Sequence, residues 1–445
     1  MICLIRHHGS GIALFLAVFC GQSAAATPLW AQVAGGTQQP ARQPADGEPA
    51  AEEQISGEEN LLPESNPDFD NEAGVAAFET ALNGWRTTLA DMREVMIRFN
   101  NGPPQEAEGY RQRYRELEMQ GREQFDEAMA AAIELLKNAP RENYVAAQFL
   151  LVAVHYRFNK DWYELTGEAV EQLRRVKAKD DRLAEIAGVS FFATNQYDKA
   201  EPYLREAMQA GNLAEINQGI LESLDACRVL WPTAAEQRAA DAERDDLPRV
   251  RLLTTRGEIV LELFEDAAPN TVANFIRMVE DGLLENLPFY QVISGRIALV
   301  GESGGSAVGG EYCLADETQS PDRRYIFRGS LAMAKLPDPI GESRLTIPNT
   351  ASQQFFFAFQ PLVMANAEHT VFGRIIEGMS TFSLLTRLDP SKKEENAEPV
   401  NPDRILEAEV IRQRDHSYEP QVIRMSPLQM AEQGGVLSSE NKPGD

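Results

Sequence analysis

The stretch Val250-Arg251-Leu252-Leu253-Thr254-Thr255-Arg256-Gly257-Glu258-Ile259-Val260-Leu261-Glu262-Leu263 decides how the C-terminal half of the chain folds. Val250 and Leu252, then Ile259, Leu261 and Leu263, recur at every second position on either side of Thr255-Arg256-Gly257. Period-two alternation marks a strand with one buried face, and a glycine between two such runs predicts a β-hairpin. Pro269-Asn270-Thr271 then caps a helix over 272–280, with Val272, Phe275, Ile276 and Val279 apolar, and Gly282 ends it. Short strands are expected at 289–293, 297–300, 330–334, 354–358, 370–375 and 405–414, with helical turns near 378–388. Many short strands with two helices predict a closed antiparallel barrel capped by helices.

Upstream the period changes. Phe78, Leu82, Trp85, Leu89, Met92, Met96 and Phe99 alternate spacings of four and three, which puts them on one helix face. Asn100-Asn101-Gly102-Pro103-Pro104 stops that helix. Tyr110, Tyr114, Leu117, Ala128, Ala132 and Leu135 form a second stripe, ended near Pro140. The short connection predicts two antiparallel helices. Asn159-Lys160-Asp161-Trp162-Tyr163 and Asn195-Gln196-Tyr197-Asp198 open a weak repeat, each after an Ala-rich apolar helix (146–158 and 183–193). The unit Ala187-Gly188…Phe191…Tyr197-Asp198-Lys199-Ala200-Glu201…Tyr203-Leu204…Ala207 resembles a tetratricopeptide repeat, whose period is about 34 residues. A helix over 213–231, ended by Pro232, would cap the array. Such repeats present a surface to partner chains; a plain helical bundle that binds nothing is the other reading.

Before the helices lies an export signal. Arg6 precedes the apolar run from Gly11 to Cys20, followed by Ser23-Ala24-Ala25-Ala26, and cleavage is expected after Ala26. About ten apolar residues are too few to span a bilayer, which takes about 20. The mature protein is therefore expected to be exported, periplasmic or secreted, without a membrane span. Only Cys227 and Cys313 remain in it, and two cysteines in different segments read more readily as free thiols than as a bridge. The expected organisation is signal peptide 1–26, disordered acidic linker 27–74, helical domain 75–231, helical or flexible linker 232–247, barrel domain 248–415 and flexible tail 416–445.

Lys+Arg total 42 and Asp+Glu 68, so the net charge is 42 − 68 = −26. Nucleic-acid phosphates need a basic face, and this balance excludes them as partners. Eleven acidic residues and no basic one lie between Gln43 and Trp85. Much of the charge therefore says nothing about the barrel.

Between Val250 and Arg414 several stretches resemble cyclophilin-type peptidyl-prolyl cis–trans isomerases. They are Thr254–Ile259 with Leu261–Phe264, Ala268–Phe275, Phe289-Tyr290-Gln291-Val292-Ile293, Arg328–Ala334, Gln354–Phe357 and His369-Thr370-Val371-Phe372-Gly373-Arg374, in family order. The resemblance implies a mainly-β, eight-stranded barrel capped by two helices, following an all-α helical-repeat domain. It implies proline-containing polypeptide clients, and no metal or cofactor. An X–Pro amide resists twisting by about 18–20 kcal/mol. A catalyst of this reaction needs no nucleophile; it must grip the proline and hold the twisted amide better than the planar one.

In cyclophilins a guanidinium directed at the prolyl nitrogen stabilises the twisted state, and the resemblance puts Gln291 in that position. Gln donates a neutral hydrogen bond, worth about 1 kcal/mol against about 1.5–3 for a charge-assisted one. Two readings of the missing charge stand. Arg296 reaches back to supply it, or Arg296 points to solvent and the site is degenerate, leaving a protein-binding scaffold of cyclophilin fold. The positions implied to contact substrate are Phe289, Ile297, Leu299, Met333, Ala334, Lys335, Gln354, Phe356, Met364, Ala365 and His369. Arg296, Leu299, Lys335, Met364 and Ala365 depart from the family pattern, and an insertion lies between Lys335 and Pro348. Of Phe355 and Phe356, one should face the pocket and the other the core, since successive strand residues face opposite ways.

Overall fold

The computed structural model describes residues 62–301, 312–338, 346–389 and 400–432. The expected signal peptide, most of the acidic linker, the middle of the insertion and the end of the tail lie outside the described residues.

Helices α1 (Asn71–Asn101) and α2 (Ala107–Asn138) form the first hairpin. The Asp70 carboxylate caps α1 by accepting the Ala73 N–H at 3.0 Å. Phe78, Leu82, Trp85, Leu89 and Met92 of α1 are buried in the helical core with Leu117, Phe125, Ala128, Ala132 and Leu135 of α2. Met96 and Phe99, which continue the α1 stripe, are only half-buried. Then follow α3 (Tyr144–Asn159), α4 (Thr166–Arg175), α5 (Leu183–Ala193), α6 (Tyr197–Gln209), the single turn α7 (Glu215–Gln218) and α8 (Ile220–Arg244). Every residue of α5 is buried. It lies so close to α6 that a Cβ on Gly188 would come within 2.7 Å of the Leu204 side chain.

One expectation fails here. Pro232 does not end its helix, because α8 runs through it to Arg244. A proline inside a helix costs about 3 kcal/mol through one lost hydrogen bond and a ring clash. Contacts on both sides of it offset that cost. The Trp231 ring meets Phe327 edge-on at 5.0 Å. Further along, Arg324 donates to both carboxylate oxygens of the buried Asp241, at 2.6 and 2.9 Å. The segment read as a helical or flexible linker is thus mostly rigid helix, packed on the second domain.

The barrel strands are β1 (Arg249–Thr254), β2 (Gly257–Leu263), β3 (Phe289–Val292), β4 (Ile297–Val300), β5 (Ser330–Met333), β6 (Phe355–Ala358), β7 (Val371–Glu377) and β8 (Ile405–Arg412). They form one eight-stranded sheet in the order β3-β4-β6-β5-β7-β2-β1-β8, and each pairing is antiparallel. The hairpin turn puts Gly257 at φ +119°, a conformation that suits glycine. Next to the two edge strands, Pro288 and Arg404 form a bridge, so the sheet curls back towards itself. Inside the curl, Phe275, Phe355, Phe357, Phe372 and Phe382 share one core.

Helix α9 (Pro269–Glu280) packs its apolar face on that core. No side chain of Pro269-Asn270-Thr271 caps it. The distant Glu317 carboxylate does so instead, accepting the N–H groups of Asn270 at 3.0 Å and Thr271 at 2.9 Å. The second helix, α10 (Met379–Ser383), is a short turn after β7, and α11 (Pro427–Glu432) closes the described chain. Cys227 and Cys313 are free and buried in separate apolar clusters, and burial pushes both thiols up to about 12.

Candidate functional site

The pairing of β3 to β7 sets out the candidate site. Gln291 pairs with Leu299, Leu299 with Phe356, Phe356 with Ala332, and Ala332 with Val371. Directly paired residues share a face of a sheet, so these five form one lateral row. Leu299, Phe356, Ala332 and Val371 belong to an apolar cluster distinct from the barrel core. The same cluster holds Ile297, Ala334 and Ala365, so the structure brings five of the expected contact residues together. Phe264, Ile326 and Leu362 also belong to it; no motif had singled out Ile326 or Leu362.

A β-bulge aims Gln291 at this row. Phe289 pairs with Val300 but Gln291 with Leu299, so Tyr290 is the extra residue on β3. A bulge reverses the facing of the residues beyond it. Without it, Phe289 and Gln291 would face the same way. With it, Phe289 is sealed in the barrel core while Gln291 stands half-exposed beside Leu299. The Tyr290 hydroxyl donates to Gln354 at 3.4 Å, tying the bulge to the chain just before β6. A large aromatic and a polar amide two residues apart on one short strand was the only hint of this in the sequence.

The two phenylalanines divide as alternation requires. Phe355 lies in the core, 5.2 Å from the Phe275 ring, and Phe356 lies in the outer cluster, edge-on to the His369 ring at 5.1 Å. His369 bonds through Nδ1 to the Met333 carbonyl at 2.8 Å. Burial holds its pKa below the ordinary histidine value, so the neutral ring is favoured.

Five expected site residues sit elsewhere. Phe289 and Met333 are barrel-core residues, because their strand positions face inward. The Lys335 ammonium is buried and paired with Asp316 at 2.7 Å, which consumes its charge. Arg296 is half-exposed and turns to the helical region. Its guanidinium donates to the Ile216 carbonyl of α7 at 2.7 Å. Met364 is mostly exposed on the short turn Val363–Ala365 beside the cluster.

Arg296 belongs to a wider contact that sequence reasoning missed. Asp161, in the loop after α3, is buried and accepts the Ser294 hydroxyl at 2.9 Å and the Gly295 N–H at 3.0 Å. It also pairs with Arg387, from the loop after α10. The turn between β3 and β4 is therefore pinned to the helical region beside the groove. Tyr163 accepts from Gln360 at 2.7 Å, and Arg328 pairs with Glu164 at 2.8 Å, on the same seam.

The arrangement can hold a small apolar ring against Phe356, Leu299 and Ile297, with the Gln291 amide alongside. Of the two basic residues expected at the groove, Lys335 is buried in its ion pair and Arg296 donates to the helical region at the surface.

Residues 249–410 match the family described as cyclophilin type peptidyl-prolyl cis-trans isomerase. Among similar proteins is the Schizosaccharomyces pombe peptidyl-prolyl cis-trans isomerase ppi1, 28% identical over 165 residues, which covers 36% of this chain and 98% of that protein. The Arabidopsis thaliana isomerase CYP57 is 32% identical over 181 residues, 39% of this chain and 33% of that protein. The Emericella nidulans isomerase-like 2 is 33% identical over 156 residues, 34% of this chain and 24% of that protein. The chain thus spans nearly all of the first relative and a third or less of the other two. A solved Cryptosporidium parvum cyclophilin type isomerase is 28% identical, with TM-score 0.30, covering 38% of this chain and 99% of that one.

Proposed function

We propose, from the premise that residues 249–410 are a cyclophilin-type peptidyl-prolyl cis–trans isomerase domain, that this chain binds X–Pro segments of protein clients and isomerises them weakly. The observation that carries the reading is the row Gln291–Leu299–Phe356–Ala332–Val371, with its apolar surround and a neutral amide at its end. The Phe356 face would receive the proline ring. The Gln291 amide would offer the prolyl nitrogen a hydrogen bond without charge. Losing a charge-assisted bond for a neutral one removes about 1–2 kcal/mol of transition-state stabilisation, a rate deficit of about fivefold to thirtyfold.

A proline-peptide isomerisation assay on the full chain tests this. Turnover reduced about fivefold to thirtyfold against an ordinary cyclophilin supports the reading, and turnover equal to it overturns the assignment to Gln291.

A second reading, a non-enzymatic scaffold whose helical region recruits partners, draws support from the Arg296–Ile216 contact, which withdraws the nearest alternative guanidinium. Saturable proline-peptide binding with no measurable turnover would select it. Export belongs to the same proposal. It rests on the N-terminal pattern ending at Ala26, and N-terminal sequencing of the mature protein tests it.

A further inference from the structure

The apolar stripe of α1 outlasts the helical core. Val95, Met96 and Phe99 look across a cleft at Tyr110 and Tyr114 of α2, and the cleft is closed by Thr255, Arg256 and Leu406 of the barrel. It is a cavity of about 450 Å³, within the range of about 300–1,000 Å³ common for small-molecule sites. None of the groove residues lines it.

Its most buried wall is Glu118, only 7% exposed. Among the described residues the Glu118 carboxyl has neither a hydrogen bond nor an ion pair; it feels Arg122 and Arg256 only through space. Burial drives its pKa up, towards the neutral acid. A buried polar group without a partner is costly. Each guanidinium that lines the cleft already contacts a carboxylate. Arg256 pairs with Asp403 at 3.0 Å, and Arg111 and Arg115 share Glu108 at 3.0 and 3.3 Å.

These matches narrow the ligand. An anion would have to compete with Glu108 and Asp403 for these guanidiniums. A cation at Glu118 would be repelled by Arg122 and Arg256. What remains is an uncharged molecule that gives Glu118 a donor. The walls specify its body, since Tyr110 and Tyr114 line the cleft with aromatic rings beside Phe99, whose ring Arg111 already covers on one side. We propose that the cleft between α1, α2 and the β1–β2 turn binds a flat, uncharged aromatic molecule with one N–H or O–H donor, of the indole or phenol class, with Glu118 as acceptor.

Calorimetric titration of the full chain with indole tests it. One indole should bind per chain, and 1-methylindole, which lacks the donor, should bind at least tenfold more weakly. Glu118→Leu should weaken indole at least tenfold and erase the preference over 1-methylindole. Met96→Trp, which fills the cleft from its half-exposed rim, should abolish binding of both, and decides the matter should Glu118→Leu fail to fold. No saturable indole binding, or binding indifferent to N-methylation and to both substitutions, overturns the proposal.

Discussion

Strands β3 to β6 carry two faces, and the two hold different things. Inward, Phe289, Val300, Phe355 and Met333 are all apolar and sealed in one core. Outward, Leu299, Phe356 and Ala332 make a shallower apolar surface that ends in the half-exposed Gln291 amide. The inner face determines whether the barrel forms. Under the proposed function the outer face determines what the barrel does, and its chemistry turns on one side chain. A substitution at Gln291 leaves the fold untouched because no core contact depends on it.

Four substitutions would break or sharpen that contrast. The largest effect is expected inside. Phe357→Ala removes a fully buried ring and should cost about 3–5 kcal/mol of stability, read from urea unfolding of the full chain. A loss under about 1 kcal/mol would mean the inner face is not the structural one.

Next comes the seam that pins the β3–β4 turn. Asp161→Ala strips the Gly295 N–H and Arg387 of their buried acceptor. Leaving one partner of such a pair uncompensated costs about 3 kcal/mol or more. Amide exchange at 294–296 should accelerate along with the lost stability. Unchanged exchange there would show that the turn is held by the barrel alone.

Phe356→Ala tests the outer face, where the loss should appear in binding. Proline-peptide affinity should fall about tenfold, roughly 1.4 kcal/mol, with a smaller stability loss than at Phe357. Equal peptide affinity would remove Phe356 from the site.

The smallest effect is a pH dependence at His369. Its folded-state pKa lies below the ordinary 6.5, so the unfolded chain binds more protons once pH falls below that value. The stability contributed by the neutral buried ring is complete above pH 6.5 and is lost as pH falls towards the folded pKa. His369→Gln should therefore flatten the unfolding midpoint between pH 7.5 and 5.5. Parallel curves for the two proteins would assign the acid sensitivity to other groups.

Much of this was legible in the sequence. The hairpin at 250–263 announced itself because alternation and a glycine turn are local signals. The helix of 183–193 and the strand of 297–300 match their observed bounds. The row at the site was less legible. The bulge at Tyr290 reverses the facing of Gln291, and residue spacing cannot show a reversal that pairing creates. Arg296 and Lys335 were misplaced for a related reason: their partners, the Ile216 carbonyl and Asp316, are 80 and 19 residues away. Pro232 looked like a helix end because its local cost is visible, whereas the packing of Trp231 and Asp241 on the barrel is not.

The central claim is that an intact apolar groove lacks only its charge. Its most direct test compares kcat/KM for proline-peptide isomerisation by the full chain with that of Gln291→Arg. The account expects the arginine variant to gain about fivefold to thirtyfold, about 1–2 kcal/mol, with unchanged stability and little change in peptide affinity. No gain in a folded variant that still binds the peptide would contradict it.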